Sequence, residues 1–170
     1  FQSAYKRPAF YGERVNASKL AMEALSVINR ERQERGITID PETDPARSGL
    51  IGPAMTQVTS DIGDLESKQT SVNPNFAAVF VDLLKKAHVK AGDQVAVSVT
   101  GSFPALNIAL YSALATLHLK PTIISSVSSS QYGANDPNFL WLDMETVLYK
   151  KGVFPFRSSA ASLGGRDDSA

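Results

Sequence analysis

The chain contains no cysteine, and only two of its 170 residues are histidine. Without cysteine there is no thiol nucleophile, no thiolate zinc site and no disulfide framework, while the compartment stays open. His88 and His118 cannot supply a histidine-rich metal site within one chain. An excess of either charge is missing too: 17 Lys and Arg balance 17 Asp and Glu. No net field therefore draws nucleic acid or an anionic membrane to the protein. Nor does any apolar run approach the roughly 20 residues that span a bilayer. What is present is ordinary: 43% hydrophobic and 20% charged residues, enough for one domain with its own core.

The chain opens on Phe1 rather than Met, so an upstream signal or anchor is neither shown nor excluded. Its far end carries Gly164-Gly165 after an expected strand, where a further element would normally follow. The expectation is a piece of a longer protein.

Between the ends, the spacing of Ala17, Leu20, Ala21, Ala24, Leu25 and Ile28 predicts a helix over 14–35, stopped by Gly36. Its last turns, Asn29 to Arg35, read as a solvated charged face. From Asp40 to Asn73 the periodicity fades among Pro, Gly and Thr, which predicts a long irregular segment. Asn73-Pro74 then starts a helix with Phe76, Val79, Phe80, Leu83 and Leu84 on its apolar face. Strands are expected at 95–99, 122–127 and 153–158, with helices from Ala105 to Leu117 and from Asp136-Pro137 to Lys151. Alternation of this kind implies parallel strands with crossover helices. The predicted class is α/β, a Rossmann-like three-layer parallel sheet, incomplete in this chain. It follows an N-terminal segment and helix (1–36) and an irregular segment (37–73) that packs on the α/β part (74–170).

In such sheets ligands bind at the carboxyl ends of the strands, where helix N-termini present free N–H groups. The first expected end carries Thr100-Gly101-Ser102-Phe103-Pro104, the second Ser128-Ser129-Ser130 through Asn135-Asp136, the third Ser158-Ser159. Thr100, Gly101, Ser102, Ser128, Ser129, Asn135 and Ser158 are the candidate ligand-binding residues, suited to a carboxylate, phosphate or amide. The plainer reading makes Ser102 and Asp136 helix caps and Gly101 and Gly133 turn formers. No phosphate loop, dinucleotide fingerprint or nucleophile elbow is complete, and no cofactor is expected. His88 and His118 fall at the amino edge, roughly 17–20 Å from Ser102, too far for a Ser-His-Asp triad. A serine–lysine arrangement is open, with Ser102 as nucleophile and Lys68 as base if the irregular segment folds over the strand ends. Asp61, Asp64 and Glu66 lack the spacing of a calcium loop, and no metal is expected. Phe139 and Trp141 read as core, although either could wall a pocket.

Several strings together carry a resemblance: Gly49-Leu50-Ile51-Gly52-Pro53, Asn73-Pro74-Asn75-Phe76, Thr100-Gly101-Ser102-Phe103-Pro104-Ala105-Leu106-Asn107, Gly133-Ala134-Asn135-Asp136-Pro137-Asn138-Phe139, Trp141-Leu142-Asp143-Met144-Glu145 and Ala160-Ala161-Ser162-Leu163-Gly164-Gly165. From about Arg14 to Gly165 the chain resembles the poly-gamma-glutamate system protein family. The resemblance implies a bacterial, membrane-tethered, extracytoplasmic accessory of poly-γ-glutamate (capsule) synthesis or export, beside the ligase and membrane components that make the polymer. It lends no catalytic residues. In that role the serine-bearing edge would bind γ-glutamyl carboxylates, and Lys68, Arg157 and Arg166 would have to gather there to offset the neutral net charge. The alternatives are a serine-dependent amide hydrolase or transferase acting on the polymer, and a non-catalytic assembly scaffold with an exposed apolar patch. An unpaired sheet edge could also recruit a second copy into a homo-oligomer.

Overall fold

The first helix, α1 (Tyr11–Glu34), starts three residues before the expected point and stops at Gly36, whose φ of +70° suits glycine. The computed structural model describes residues 9–164. Ala17, Ala21, Ala24, Ile28 and Arg32 make the buried face of α1. Arg32 therefore corrects the reading of the last turns as solvated. It lies four residues after Ile28, keeps the register of the stripe, and is only 4% exposed.

The segment expected to be irregular contains two short elements, β1 (Thr59–Asp61) and α2 (Leu65–Ser71). Asp64 caps α2 by accepting the Ser67 N–H at 2.8 Å. Residues 73–75 then make a turn in which Asn73 accepts the Asn75 N–H, and α3 (Phe76–Lys86) follows. Next come β2 (Gln94–Val99), α4 (Pro104–Thr116) and β3 (Lys120–Ser126), close to their expected places.

Beyond β3 two expectations need correction. The helix predicted from Asp136-Pro137 begins only at Trp141, as α5 (Trp141–Lys150). Asp136 accepts the Asn138 N–H at 2.9 Å and so caps a turn, not a helix. That turn joins β5 (Asn135–Asp136) to β6 (Phe139–Leu140) as an antiparallel hairpin, with Pro137 at its first central position. The strand expected over 153–158 is irregular instead. Pro155 has no N–H to give a ladder, and Phe154 and Phe156 both turn inward onto Tyr111 at 5.7 and 5.6 Å. The strand forms later, as β7 (Ala160–Ser162).

The protein is thus mixed α/β, with five helices and small parallel sheets among the described residues. Strands β2, β3 and β7 pair in parallel with β3 in the centre. β1 pairs in parallel with β4 (Ser129–Ser130), at Thr59 to Ser129 and Asp61 to Ser130. Helix α4 lies at the heart of the core, packed on α1 and α3, and buries nine of its residues. Ile108, Leu114, Ile123, Met144 and Leu148 are at most 1% exposed, each worth roughly 1.5–3 kcal/mol of burial. Along β2 and β3, Val95, Val97, Val99, Ile123 and Ser125 turn inward while Gln94, Ala96, Ser98, Thr122 and Ile124 are exposed. Among the described residues one face of this sheet is therefore bare, and the layers number two where three were expected.

Candidate site at the carboxyl edge of the sheet

Strand β2 ends at Val99 and the chain turns through Thr100 to Phe103 into α4, with Pro104 fixing the first helical position. The turn is held from within: Thr100 Oγ1 accepts the Ser102 N–H at 3.1 Å, and Asn107 Nδ2 donates to the Thr100 carbonyl at 2.7 Å. Gly101 bonds on both sides to the loop after β3, donating to the Ser128 carbonyl and accepting from the Ala134 N–H. The approach is too close for side chains. A methyl on Gly133 would meet Ser129 Oγ and would lie 2.7 Å from the carbonyls of Gly101 and Ser102. These glycines bring the first two serine-bearing loops into backbone contact.

Onto this junction α2 delivers Lys68, which is 2% exposed. Its ammonium donates to the Ser102 carbonyl and, at 2.8 Å, to Ser130 Oγ. It also sits 3.7 Å over the centre of the Phe103 ring. The hydroxyl of Ser102 does not bond Lys68; it accepts the Ser130 N–H at 3.0 Å. Burial pulls the Lys68 pKa down to about 8, partly opposed by Asp64. Among the described residues no carboxylate forms an ion pair with Lys68, and Asp64 accepts the Ser67 N–H as the cap of α2. Phe103, at the N-cap of α4, gives that helix no side-chain cap, so a buried cation stands beside a positive helix end.

Thr100, Gly101, Ser102, Ser128 and Ser129 thus meet at one edge with Lys68, and Ser128 Oγ lies 3.0 Å from Ser126 Oγ. Asn135, beside the Ala134 N–H that Gly101 accepts, borders this junction but is turned into the interior, whereas Ser158 goes elsewhere. Asn135 is fully buried, its amide donating to the Pro53 carbonyl and Thr59 Oγ1. Ser158 joins a buried network. It donates to Glu145 at 2.8 Å, beside Ser125 Oγ at 2.6 Å, while Tyr111 donates to the same carboxylate at 2.6 Å. Burial and that carboxylate hold the Tyr111 hydroxyl protonated far above its usual range. Arg157 stays away from the edge, its guanidinium 5.3 Å from the Tyr149 ring, and Arg166 lies outside the described residues. His88 and His118 follow α3 and α4 with φ of 59° and 53°, at the amino edge, so no triad forms with Ser102. Phe139 and Trp141 are both fully buried.

Sequence reasoning passed over Ser130 as a site residue, because its pairing with Lys68 depends on where a seven-residue helix lands. Chemically, the edge offers hydroxyls to a polar ligand and a lysine able to lose its proton near pH 8. Among the described residues no group of three or more acidic or histidine side chains could hold a metal, and no helix is long and apolar enough to cross a membrane. Comparison with protein-family models, curated proteins and solved structures gives no match to this chain.

Proposed function

We propose that the chain is an accessory, extracytoplasmic component of poly-γ-glutamate synthesis or export, tethered to the membrane in the intact protein. In this reading it holds the polymer at the carboxyl edge of a Rossmann-like sheet and works beside the membrane components of the synthesis complex. The observation that supports it is the Lys68 ammonium: buried, without a carboxylate partner among the described residues, and next to the uncapped start of α4. Such a place favours an incoming anion, and a γ-glutamyl unit offers a carboxylate with an amide that hydroxyls can bond. Titration calorimetry with γ-linked glutamate oligomers tests it. Binding should appear in the native protein and weaken about tenfold or more in Lys68→Met, the loss expected when one partner of a buried charge pair is truncated. Equal affinity in both proteins would refute the reading.

A second reading has its own observation. Lys68 Nζ lies 2.8 Å from Ser130 Oγ, the geometry of a base and its nucleophile. As an amide hydrolase, the protein would use neutral Lys68 to take the Ser130 proton as Oγ attacks the amide carbon. Lys68 would return that proton to the leaving amine, and water would then release the acyl group. Ser130 replaces Ser102 in this role, because the Ser102 hydroxyl does not reach Lys68. Labelling by a fluorophosphonate at Ser130, lost in Lys68→Met, would favour this reading; labelling of neither serine would exclude it.

A further inference from the structure

Helix α1 ends its buried stripe on a charge. The Arg32 guanidinium carries five N–H donors, yet among the described residues it makes one hydrogen bond, from Nη1 to the Gly49 carbonyl at 3.1 Å. Its Nε is buried with no partner. Nη2 lies 3.9 Å from Asp136 Oδ2, beyond hydrogen-bond reach. Asp44, the other nearby carboxylate, is already occupied by the Ser48 and Gly49 N–H groups and the Ser48 hydroxyl. A buried guanidinium this poorly satisfied is unusual, and a missing acceptor is the simplest account.

Arg32 also lines a cleft. Arg32, Thr38, Asp40, Thr43, Tyr132 and Asp136 are among the residues that line this 480 Å³ space. Of the three charged side chains on its wall, Asp40 accepts from the Glu42 N–H and the Thr43 hydroxyl, while Arg32 and Asp136 are incompletely used. Asp136 spends Oδ1 on Asn138, while Oδ2 faces only Arg32 across 3.9 Å. A simple anion drawn by Arg32 would meet Asp136 and Asp40, and a simple cation drawn by Asp136 would meet Arg32. A molecule carrying a carboxylate and an ammonium on neighbouring atoms answers both. We propose that this cleft binds a free α-amino acid, its carboxylate on Arg32 and its ammonium towards Asp136. The volume falls within the range of small-molecule sites, and Thr38, Thr43 and Tyr132 are placed to meet the side chain. The site is separate from the sheet edge and does not depend on what binds there.

Calorimetric titration of the proteinogenic α-amino acids, with acetate and methylamine as half-ligands, tests the assignment. At least one amino acid should bind, and both half-ligands should bind about tenfold or more weakly. Asp136→Asn keeps an acceptor for Asn138 and should weaken the amino acid about tenfold while strengthening acetate. Arg32→Gln should abolish binding, and Lys68→Met should leave it unchanged. Because Arg32→Gln risks the fold, Asp136→Asn decides if that variant is unfolded by circular dichroism. Absence of any binding up to about 10 mM would mean that Arg32 is satisfied by water alone and would overturn the proposal. So would acetate binding as tightly as the amino acid, or loss of binding in Lys68→Met.

Discussion

Lys68 shows how much one side chain's surroundings decide. Its pKa is about 8 in the folded protein against an ordinary value near 10.5, so the unfolded chain takes up the proton first as pH falls. Between those values the unfolded state binds more protons, and stability must rise with pH across that window. Below pH 8 both states are protonated and the slope disappears. Urea unfolding at pH 7, 8 and 10 should show native protein gaining on Lys68→Met from pH 8 to 10; parallel curves would contradict the burial of the ammonium. Gly133 is the matching backbone case. Gly133→Ala should cost about 1–3 kcal/mol in denaturant unfolding, because a methyl has no room between two carbonyls. A loss under about 0.5 kcal/mol, the range of an ordinary surface change, would show that the loops are not in contact. Neither role could be read from residue types alone. A lysine in a polar segment is normally solvated, and only the fold shows this one under a serine loop. Arg32 was legible in principle, since it continues the spacing of Ala17, Ala21, Ala24 and Ile28.

Elements with a strong period were readable, and those fixed by single side chains were not. α1, α3, α4, β2 and β3 fall close to their expected bounds because each repeats an apolar pattern or is bounded by Gly or Pro. β7 was misplaced because Val153 to Ser158 has the composition of a strand while Pro155 and the Tyr111 aromatic contacts prevent a ladder. α5 was started too early because Asp136-Pro137 serves a hairpin turn as well as it would a helix start. β1 and α2 fall in the segment expected to be irregular because three- and seven-residue elements are too short to show a period. The Glu145 network ties α4, α5 and the segment before β7 together. Glu145→Leu leaves Ser158 its Ser125 partner but strands the Tyr111 hydroxyl, an orphaned donor that should cost about 1–3 kcal/mol. Adding Tyr111→Phe should recover part of that loss, as a double-mutant cycle by thermal unfolding would reveal. Strict additivity would mean that the two side chains do not share a bond.

At the scale of the molecule, the oddity is a parallel sheet with one open face. Parallel sheets are nearly always covered on both sides, yet Ala96, Ser98, Thr122 and Ile124 are exposed here, Ile124 to 50%. If that face is bare in solution, Ile124→Thr should change stability by no more than about 0.5 kcal/mol, and a larger loss would mean that something packs on it. The α/β class was legible from alternation along the chain, whereas layer number was not, because short strands of Val, Ser and Ala fit a sheet covered on one side or two. The site divides the same way: the junction of the Thr100–Ser102 and Ser128–Ser130 loops followed from strand order, while its cation came from a segment without periodicity. The central claim is that this junction holds a γ-glutamyl chain. Thermal unfolding with and without γ-linked glutamate oligomers, repeated on Ser102→Ala, tests it most directly, since a ligand of the folded state must raise the midpoint. The account predicts a rise that Ser102→Ala diminishes; no rise at saturating oligomer, or one that the substitution leaves untouched, would contradict it.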